Sequence, residues 1–257
     1  MIDLHCHLLP GIDDGPPTME ATLALARAAV AGGTTTIVAT PHVSWDYQAN
    51  TAVSIAAGVT AVQQALQLAG IALEVRTGAE IAMTRAADLD DEELVALRLG
   101  GPTGTHLLVE CPLSPSVAGF DGLLGLLRAR GHAILLAHPE RCPAFQRDPD
   151  AYARLIDQGM LGQVTAGSLV GRFGRIPQEL GDRMVRDGLV QVIGSDAHSA
   201  DRRIPSMRAE LEEAGFGAQA DWLTGDVPRG ILDGRPLPAA PEMPPAPARG
   251  LRRLLRR

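Results

Sequence analysis

Short runs of β-branched and aliphatic residues alternate with longer amphipathic stretches along most of the chain. The strand-like runs comprise residues 1–4, 34–40, 71–77, 106–110, 132–137, 160–167 and 189–194. Helical patterns that end at glycine follow them, for example over residues 19–33, 120–131 and 176–188. This β/α alternation predicts a parallel, barrel-like sheet, and 257 residues is the usual size of one α/β barrel.

The composition changes from about residue 234 onward. The segment RPLPAAPEMPPAPARG is rich in proline, and the last residues, LRRLLRR, are basic. Proline-rich sequence of this kind is typical of linkers and not of a core. We therefore expect a barrel domain over residues 1–233 and a disordered linker with a solvated basic tail over residues 234–257. A contact of that tail with a membrane surface or a partner is the alternative.

Overall composition excludes several classes of protein. A formal net charge of −7 argues against a general nucleic-acid binder. Three cysteines, Cys6, Cys111 and Cys142, are too few and odd in number for a disulfide framework. No apolar run reaches about 18 residues and no secretory signal opens the chain, so we expect a cytoplasmic protein without a membrane span. The sequence also lacks a G-x-S-x-G elbow and a phosphate-binding P-loop.

A side chain of the kind that binds metal ions stands at or just after the end of nearly every predicted strand. These are His5 and His7 in IDLHCH, His42 in ATPH, Glu80 in TGAE, Glu110 in LLVE, His138 in LLAHPER, and Asp196 and His198 in GSDAH. Because a parallel barrel gathers its strand ends on one face, we expect these side chains to meet there. Strand alternation directs His5 and His7 to one side and Cys6 to the other, into the core. His106 and His132 begin strands, and we expect them on the far face in structural roles.

The number and type of these residues predict the metal content. Mixed histidine and carboxylate ligands favour Mn²⁺, Zn²⁺ or Fe over Mg²⁺ and Ca²⁺. With Asp14 from the loop LLPGIDDG, the nine candidates exceed the four to six ligands of one ion, so we expect two or three divalent ions with Glu80 as a bridge. Asp14 is favoured over its neighbour Asp13 as a ligand or general acid. The alternative is that both aspartates only stabilise the turn by hydrogen bonds to its backbone.

Arg141 is the candidate for binding a phosphate group. It lies three residues after His138 in HPER, and a guanidinium group beside a metal cluster matches the oxygens of a phosphate. The alternative is a surface arginine that pairs with Glu140 or Asp148.

Together, the motifs DLHCHLLPGIDDGP, ATPHV, GAEI, VECP, AHPER and GSDAH resemble the polymerase and histidinol phosphatase (PHP) superfamily. The D-D-G sequence after H-x-H, and the H-P-E-R sequence, are most similar to its bacterial manganese-dependent protein-tyrosine phosphatases of the CpsB/YwqE type. The resemblance runs from residue 1 to about residue 230. It implies a distorted seven-stranded (β/α)7 TIM-like barrel of the PHP type that holds three metal ions, most often Mn²⁺.

The resemblance also implies a role for each motif residue. The implied ligands are His5, His7, Glu80 and Asp196 for the first ion, Glu110 and His138 for the second, and Asp14, His42 and His198 for the third. Arg141 matches the family's phosphate-contacting arginine. Asp14 or a bound water would protonate the leaving group.

The implied activity is removal of phosphate from tyrosines of a bacterial tyrosine autokinase that regulates capsule or exopolysaccharide export. The phosphate would be attacked directly by metal-bound hydroxide, without a covalent phosphoenzyme. Two alternatives stay open: a small-molecule phosphatase of the histidinol-phosphate type, and a catalytically silent metal-binding module. The sequence does not specify the oligomeric state.

Overall fold

The computed structural model describes residues 1–245. Its strands are β1 (Ile2–Cys6), β2 (Thr36–Ala39), β3 (His42–Val43), β4 (Glu74–Thr77), β5 (Glu80–Ala82), β6 (His106–Glu110), β7 (Ala133–Ala137), β8 (Leu161–Thr165) and β9 (Val192–Gly194). Its α-helices are α1 (Met19–Ala31), α2 (Ala52–Leu68), α3 (Met83–Ala86), α4 (Asp91–Ala96), α5 (Phe120–Ala129), α6 (Pro143–Arg147), α7 (Pro149–Asp157), α8 (Ala166–Leu169), α9 (Arg175–Arg186), α10 (Met207–Glu213) and α11 (Val227–Asp233). Helices follow each strand region that the sequence pattern predicts.

All paired strands are parallel, and they form two sheets with the orders β1-β2-β4 and β3-β5-β6-β7-β8-β9. Two of the predicted strands, over residues 34–40 and 71–77, are each followed by a second short strand that joins the other sheet. Thr40 and Pro41 separate β2 from β3, and proline has no N–H to donate to a neighbouring strand. Gly78 and Ala79 separate β4 from β5. A Cβ atom on Gly78 would lie 2.6 Å from the Val38 side chain, so only glycine permits this close approach of the backbone.

The first strand and the residues after the last strand meet directly. Cys6 and Ala197 form an isolated parallel bridge. The backbone N–H of Asp196 donates to the carbonyl of His5 at 2.8 Å, and that of His7 donates to the carbonyl of Ala197 at 2.9 Å. The fold is therefore an α/β arrangement of parallel strands in which the end of β1 lies beside the segment after β9.

Successive residues of the strands point to opposite sides and belong to two different buried clusters. The inner cluster takes one or more residues from several strands and from α11, among them Leu4, Val38, Leu108, Leu135 and Val192. The outer cluster packs the strands against the helices, and Cys6 lies in it, as the alternation predicts. Cys6, Cys111 and Cys142 are all free and buried, so the described chain has no disulfide.

The described part of the proline-rich segment contacts the rest of the domain. The indole N–H of Trp222 donates to the carbonyl of Pro238 at 3.3 Å, and the side-chain amide of Gln219 donates to that of Glu242 at 2.9 Å. Arg186 donates to the carbonyl of Pro244 at 3.0 Å. Up to residue 245 the segment is thus held along the helices and is not a free linker. The basic end of the chain lies outside the described residues, and the domain boundary at residue 233 stays a prediction.

Among residues 1–245, none of the helices combines the length and the apolar character that crossing a membrane requires.

Candidate metal centre

The predicted ligands lie together near the carboxyl ends of the strands. Their ligand atoms form overlapping groups, each within 4.8 Å: His7, Asp14, His42 and His198; His5, Glu80 and His138; His5, His7 and Asp196; and His42, Glu80 and Glu110. Most of the cluster is buried, and Asp14 is its most exposed member, with 47 % of its side chain accessible. Distant positions of the chain are therefore brought to one site, while the binding of metal ions by these side chains stays a prediction.

Glu80 lies at the middle of the cluster. One carboxylate oxygen is 2.7 Å from Nε2 of His138. The other lies 3.3 Å from His5, 3.2 Å from His7 and 3.1 Å from His42. Burial alone would raise the pKa of Glu80, but the charges of His5 and His138 outweigh it and hold the pKa well below its ordinary value. An ionised carboxylate that faces four imidazole rings has the geometry of a bridging ligand.

Three of the histidines are oriented by hydrogen bonds on the side away from the cluster. In each case Nδ1 faces an oxygen atom, so the ring presents Nε2 to the cluster. The pairs are His5 with Gln163 at 2.7 Å, His7 with Asp13 at 2.8 Å, and His198 with the backbone carbonyl of Asp196 at 2.9 Å. This arrangement is typical of histidines that bind metal ions.

The two adjacent aspartates of the first loop have different roles. Asp13 accepts hydrogen bonds from Nδ1 of His7 and from the backbone N–H of His42 at 3.1 Å, so it orients ligands from outside the cluster. Asp14 instead faces the cluster, 3.1 Å from Nε2 of His198. Burial raises the pKa of Asp14, but the hydrogen bond and the charge of His198 outweigh it and lower the pKa to about 2. Sequence reasoning favoured Asp14 and did not identify the orienting function of Asp13.

Backbone strain is concentrated at two of the predicted ligands. Within residues 1–245, His138 and Asp196 are the non-glycine residues with positive φ, at 35° and 50°. Such conformations cost on the order of 1–3 kcal/mol each and persist where the surroundings hold them. Asp196 is held by the carbonyl of His5, and the preceding Ser195 donates its hydroxyl to the buried Asp3 at 2.5 Å. Strain of this kind is characteristic of functional sites.

Two arginines reach the edge of the cluster. Nη1 of Arg141 donates to Oδ2 of Asp196 at 2.5 Å, so Arg141 belongs to the site and is not a surface arginine. Arg203 donates to the same oxygen, and its Nη1 lies 2.9 Å from Nε2 of His198. Burial raises the pKa of Asp196, but the charges of His5 and the two arginines hold it below its ordinary value. Arg203 lies in a loop and follows no strand directly, so strand-end positions could not identify it.

Glu110, the last residue of β6, differs from the other acids. Burial raises its pKa to about 8, and the charge of Glu80 adds to the shift. A bound cation would reverse this effect. Glu110 groups with His42 and Glu80, whereas the family resemblance pairs it with His138. The distribution of the ligands among ions stays a prediction.

The two remaining histidines lie apart from these groups. Nδ1 of His106 is 2.9 Å from the hydroxyl of Thr105, and His132 accepts a hydrogen bond from Arg98 at 3.2 Å. Neither residue belongs to a metal-type group among the described residues. Their contacts agree with the structural roles expected of them.

The cluster fits several divalent ions that share ligands. Two atoms bound to one ion at about 2.1 Å lie about 3 to 3.5 Å apart. The nitrogen–oxygen separations around Glu80, from 2.7 to 3.3 Å, are close to that spacing. Imidazole and carboxylate donors suit Mn²⁺, Fe and Zn²⁺. The residues present could therefore hold the ions that the family resemblance implies.

Residues 1–214 match the family model of capsular polysaccharide synthesis proteins, CpsB/CapC. The chain belongs to this family. It is 30 % identical over 225 residues to the tyrosine-protein phosphatase YwqE of Bacillus subtilis, an alignment that covers 87 % of this chain and 88 % of YwqE. It is 30 % identical over 213 residues to the putative tyrosine-protein phosphatase CapC of Staphylococcus aureus, covering 82 % of each chain. It is 27 % identical over 242 residues to the tyrosine-protein phosphatase CpsB of Streptococcus pneumoniae, covering 90 % of this chain and 98 % of that protein.

Solved structures agree with this membership. The fold superimposes with a TM-score of 0.83 and 28 % identity on a structure from work on YwqE and CpsB, described as unique metal-dependent tyrosine phosphatases, with 96 % of this chain and 100 % of that chain covered. A D-hydantoinase matches with a TM-score of 0.52 and 13 % identity over 94 % of this chain and 73 % of that chain, which shows a similar fold alone. The resemblance carried by the sequence motifs is therefore confirmed.

Gln163 offers a test of ligand orientation. It is a fully buried polar residue of β8, and its side-chain oxygen faces Nδ1 of His5 at 2.7 Å. Replacement by leucine keeps the volume but removes this partner. We expect the affinity for Mn²⁺ to fall about tenfold or more, as for other residues that orient metal-binding histidines. Isothermal titration calorimetry measures the change.

The matched control is Gln67→Leu, which makes the same substitution at an exposed position of α2. We expect this variant to bind Mn²⁺ like the unaltered protein. An unchanged affinity in Gln163→Leu would show that His5 needs no orienting partner.

Proposed function

We propose that this protein is a metal-dependent protein-tyrosine phosphatase. Its substrate would be a phosphotyrosine protein, and a bacterial tyrosine autokinase of capsule or exopolysaccharide regulation is the proposed partner. The observation that carries the proposal is the convergence of five histidines and three further acids around Glu80, beside Arg141 and Arg203. Membership of the CpsB/CapC family, and the names of its relatives, support it. The cytoplasmic location expected from the sequence stays a prediction.

The proposed ligands are the nine side chains of the cluster, with Glu80 shared between ions. They are His5, His7, Asp14, His42, Glu80, Glu110, His138, Asp196 and His198. We propose two or three ions, with Mn²⁺ preferred and Fe or Zn²⁺ as alternatives. Bound divalent ions supply a water that is activated near neutral pH and neutralise charge on the phosphate.

We also propose that the strands form a distorted, seven-stranded barrel. Counting β2 with β3 and β4 with β5 gives seven strand regions in sequence. The bridge between Cys6 and Ala197 and the adjacent backbone hydrogen bonds support closure between β1 and the segment after β9. The inner apolar cluster, with side chains from β1, β2, β6, β7 and β9, is the packed interior that such a barrel requires.

Arg141 and Arg203 are the proposed phosphate-binding residues. Their side chains are 16 % and 29 % exposed, so both are accessible at the edge of the buried cluster. The planar guanidinium group presents paired N–H donors that match two oxygens of a phosphate. Both arginines share one oxygen of Asp196, and an incoming phosphate could accept hydrogen bonds from their remaining N–H groups.

Asp14 is better suited to bind a metal ion than to act as a general acid. Although burial opposes it, the hydrogen bond and the charge of His198 lower the pKa of Asp14 to about 2, so Asp14 is ionised at neutral pH. An ionised carboxylate binds a cation but has no proton to give. A phenoxide leaving group needs little help, since the pKa of tyrosine is about 10.

The test compares two substrates after chelation and addition of Mn²⁺. We expect kcat/KM for a phosphotyrosine peptide to exceed that for histidinol phosphate by at least about tenfold. Chelation should abolish turnover, and Mn²⁺ should restore it. A preference for histidinol phosphate would support the small-molecule alternative. Bound metal without hydrolysis of either ester would support the silent metal-binding module.

A further inference from the structure

An aromatic ring lies beside both phosphate-binding candidates. The ring of Phe173 has the guanidinium carbon of Arg141 at 4.5 Å from its centroid and that of Arg203 at 5.8 Å. Phe173 lies in the loop between α8 and α9, and it is partly buried. Gly171 and Gly174 flank it with φ of 84° and 93°, conformations that glycine adopts without strain. The two glycines allow the tight turn that presents the ring.

The neighbouring Arg172 fixes this loop to the body of the protein. Its Nε donates to Oε1 of Glu210 at 2.6 Å, and Glu210 is buried in α10. Its backbone N–H donates to the carbonyl of Gly167 at 2.9 Å. Gln178 donates its side-chain amide to the carbonyl of Leu169 at 3.1 Å, which connects α9 to α8. Phe173 is therefore held in place from both sides and does not depend on a bound substrate for its position.

The guanidinium groups of Arg141 and Arg203 repel one another because both are positively charged. Both contact the carboxylate of Asp196, which offsets part of this repulsion. The face of an aromatic ring carries partial negative charge and attracts a guanidinium group. Contact with the ring also removes water from that side of each group. The N–H edges of Arg141 and Arg203 are then kept at the rim of the metal centre, where a phosphate would arrive.

We propose that Phe173 is a positioning residue for phosphate binding, which holds Arg141 and Arg203 ready before the substrate arrives. The proposal rests on the phosphate-binding role assigned to these arginines under the proposed function. Groups that are already ordered lose less conformational freedom on binding, so the ring strengthens binding of the phosphoryl group itself. The effect should be the same for every phosphate ligand, whatever its leaving group.

Phe173→Leu is the direct test, because leucine keeps an apolar side chain but has no aromatic face. We expect KM for a phosphotyrosine peptide to rise about tenfold, the sum of two modest cation–π contacts. We expect kcat to change by less than about twofold, because ligands of the metal centre are untouched. The dissociation constant of inorganic phosphate from the Mn²⁺-loaded protein, measured by calorimetry, should rise by the same factor as KM.

Two variants serve as controls. Phe173→Tyr keeps the aromatic face and should retain phosphate affinity near that of the unaltered protein. Ile176→Ala removes an exposed apolar side chain at the start of α9 and should change neither KM nor phosphate binding.

Each outcome decides the proposal. Unchanged phosphate binding in Phe173→Leu overturns it, and so does a rise in KM for the aromatic ester alone, since the ring would then contact the substrate. Loss of Mn²⁺ from the variant also overturns it, because the role would be structural. If the unaltered protein fails to hydrolyse phosphotyrosine but phosphate binding still weakens in Phe173→Leu, the proposed function fails and the role of Phe173 stands.

Discussion

Replacement of Glu80 by glutamine is expected to lower kcat/KM for a phosphotyrosine peptide by at least about a thousandfold, equivalent to about 4 kcal/mol of lost transition-state stabilisation. The substitution hardly changes the shape of the side chain. It removes the negative charge that lies within 3.3 Å of the rings of His5, His7, His42 and His138. An amide does not replace a carboxylate as a bridging ligand, so the number of bound ions should fall as well.

Metal content by elemental analysis and steady-state kinetics measure these effects together. Glu74→Gln is the matched control, because it makes the same change in β4 at a side chain that is half exposed. We expect the control to retain its activity and its metal. Circular dichroism separates loss of metal from loss of fold, and Glu80→Asp, which keeps the charge, should retain part of the metal. Normal metal content and turnover in Glu80→Gln would contradict a central bridging role for this residue.

The second large effect is a dependence of metal affinity and stability on pH. Burial lowers the pKa of His7, but its hydrogen bonds to Asp13 and Glu80 outweigh this and raise the pKa to about 10. Burial raises the pKa of Glu110 to about 8. Both groups therefore hold a proton in the metal-free protein at neutral pH. A metal ion must displace these protons to bind, since the ligands are the deprotonated forms.

The sign of the stability change follows from these two shifts. Both pKa values are higher in the folded metal-free protein than in the unfolded chain. The contribution of Glu110 to the free energy of unfolding is complete below its ordinary pKa of 4.5, and it is lost as the pH rises through its raised pKa of about 8. That of His7 is complete below 6.5 and is lost as the pH rises through about 10. We expect the melting temperature of the metal-free protein to fall across this range, and that of the Mn²⁺-loaded protein to fall less.

Affinity for Mn²⁺ should increase as the pH rises, whereas the stability of the metal-free protein decreases. Release of one proton gives about a tenfold gain per pH unit, so binding at pH 8 should be at least about a hundredfold tighter than at pH 6. Calorimetry in buffers of different ionisation enthalpy counts the protons released. Asp13→Asn removes the negatively charged partner of His7 and should reduce that count. An affinity independent of pH between 6 and 8 would show that the ligands are already deprotonated.

Much of the candidate site could be predicted from local patterns. Apolar runs separated by glycine-terminated helices indicated parallel strands, and parallel strands end on one side of their sheet. That rule is enough to group His5, Glu80 and Asp196 from the sequence alone. The alternation of a strand was also enough to direct Cys6 away from its two histidine neighbours. These features follow from the regular repeats of strands and helices, which can be read from residues that are close in the sequence.

Only the tertiary structure decided how the site is supported. Gln163 orients His5 from a position 158 residues away, and Arg203 and Phe173 join Arg141 from separate loops. The break between β4 and β5, which places them in different sheets, likewise depends on close packing at Gly78. A sequence motif records which side chains can bind a metal ion. Which loop residues hold those side chains in place is determined by contacts between distant segments, and no local pattern encodes them.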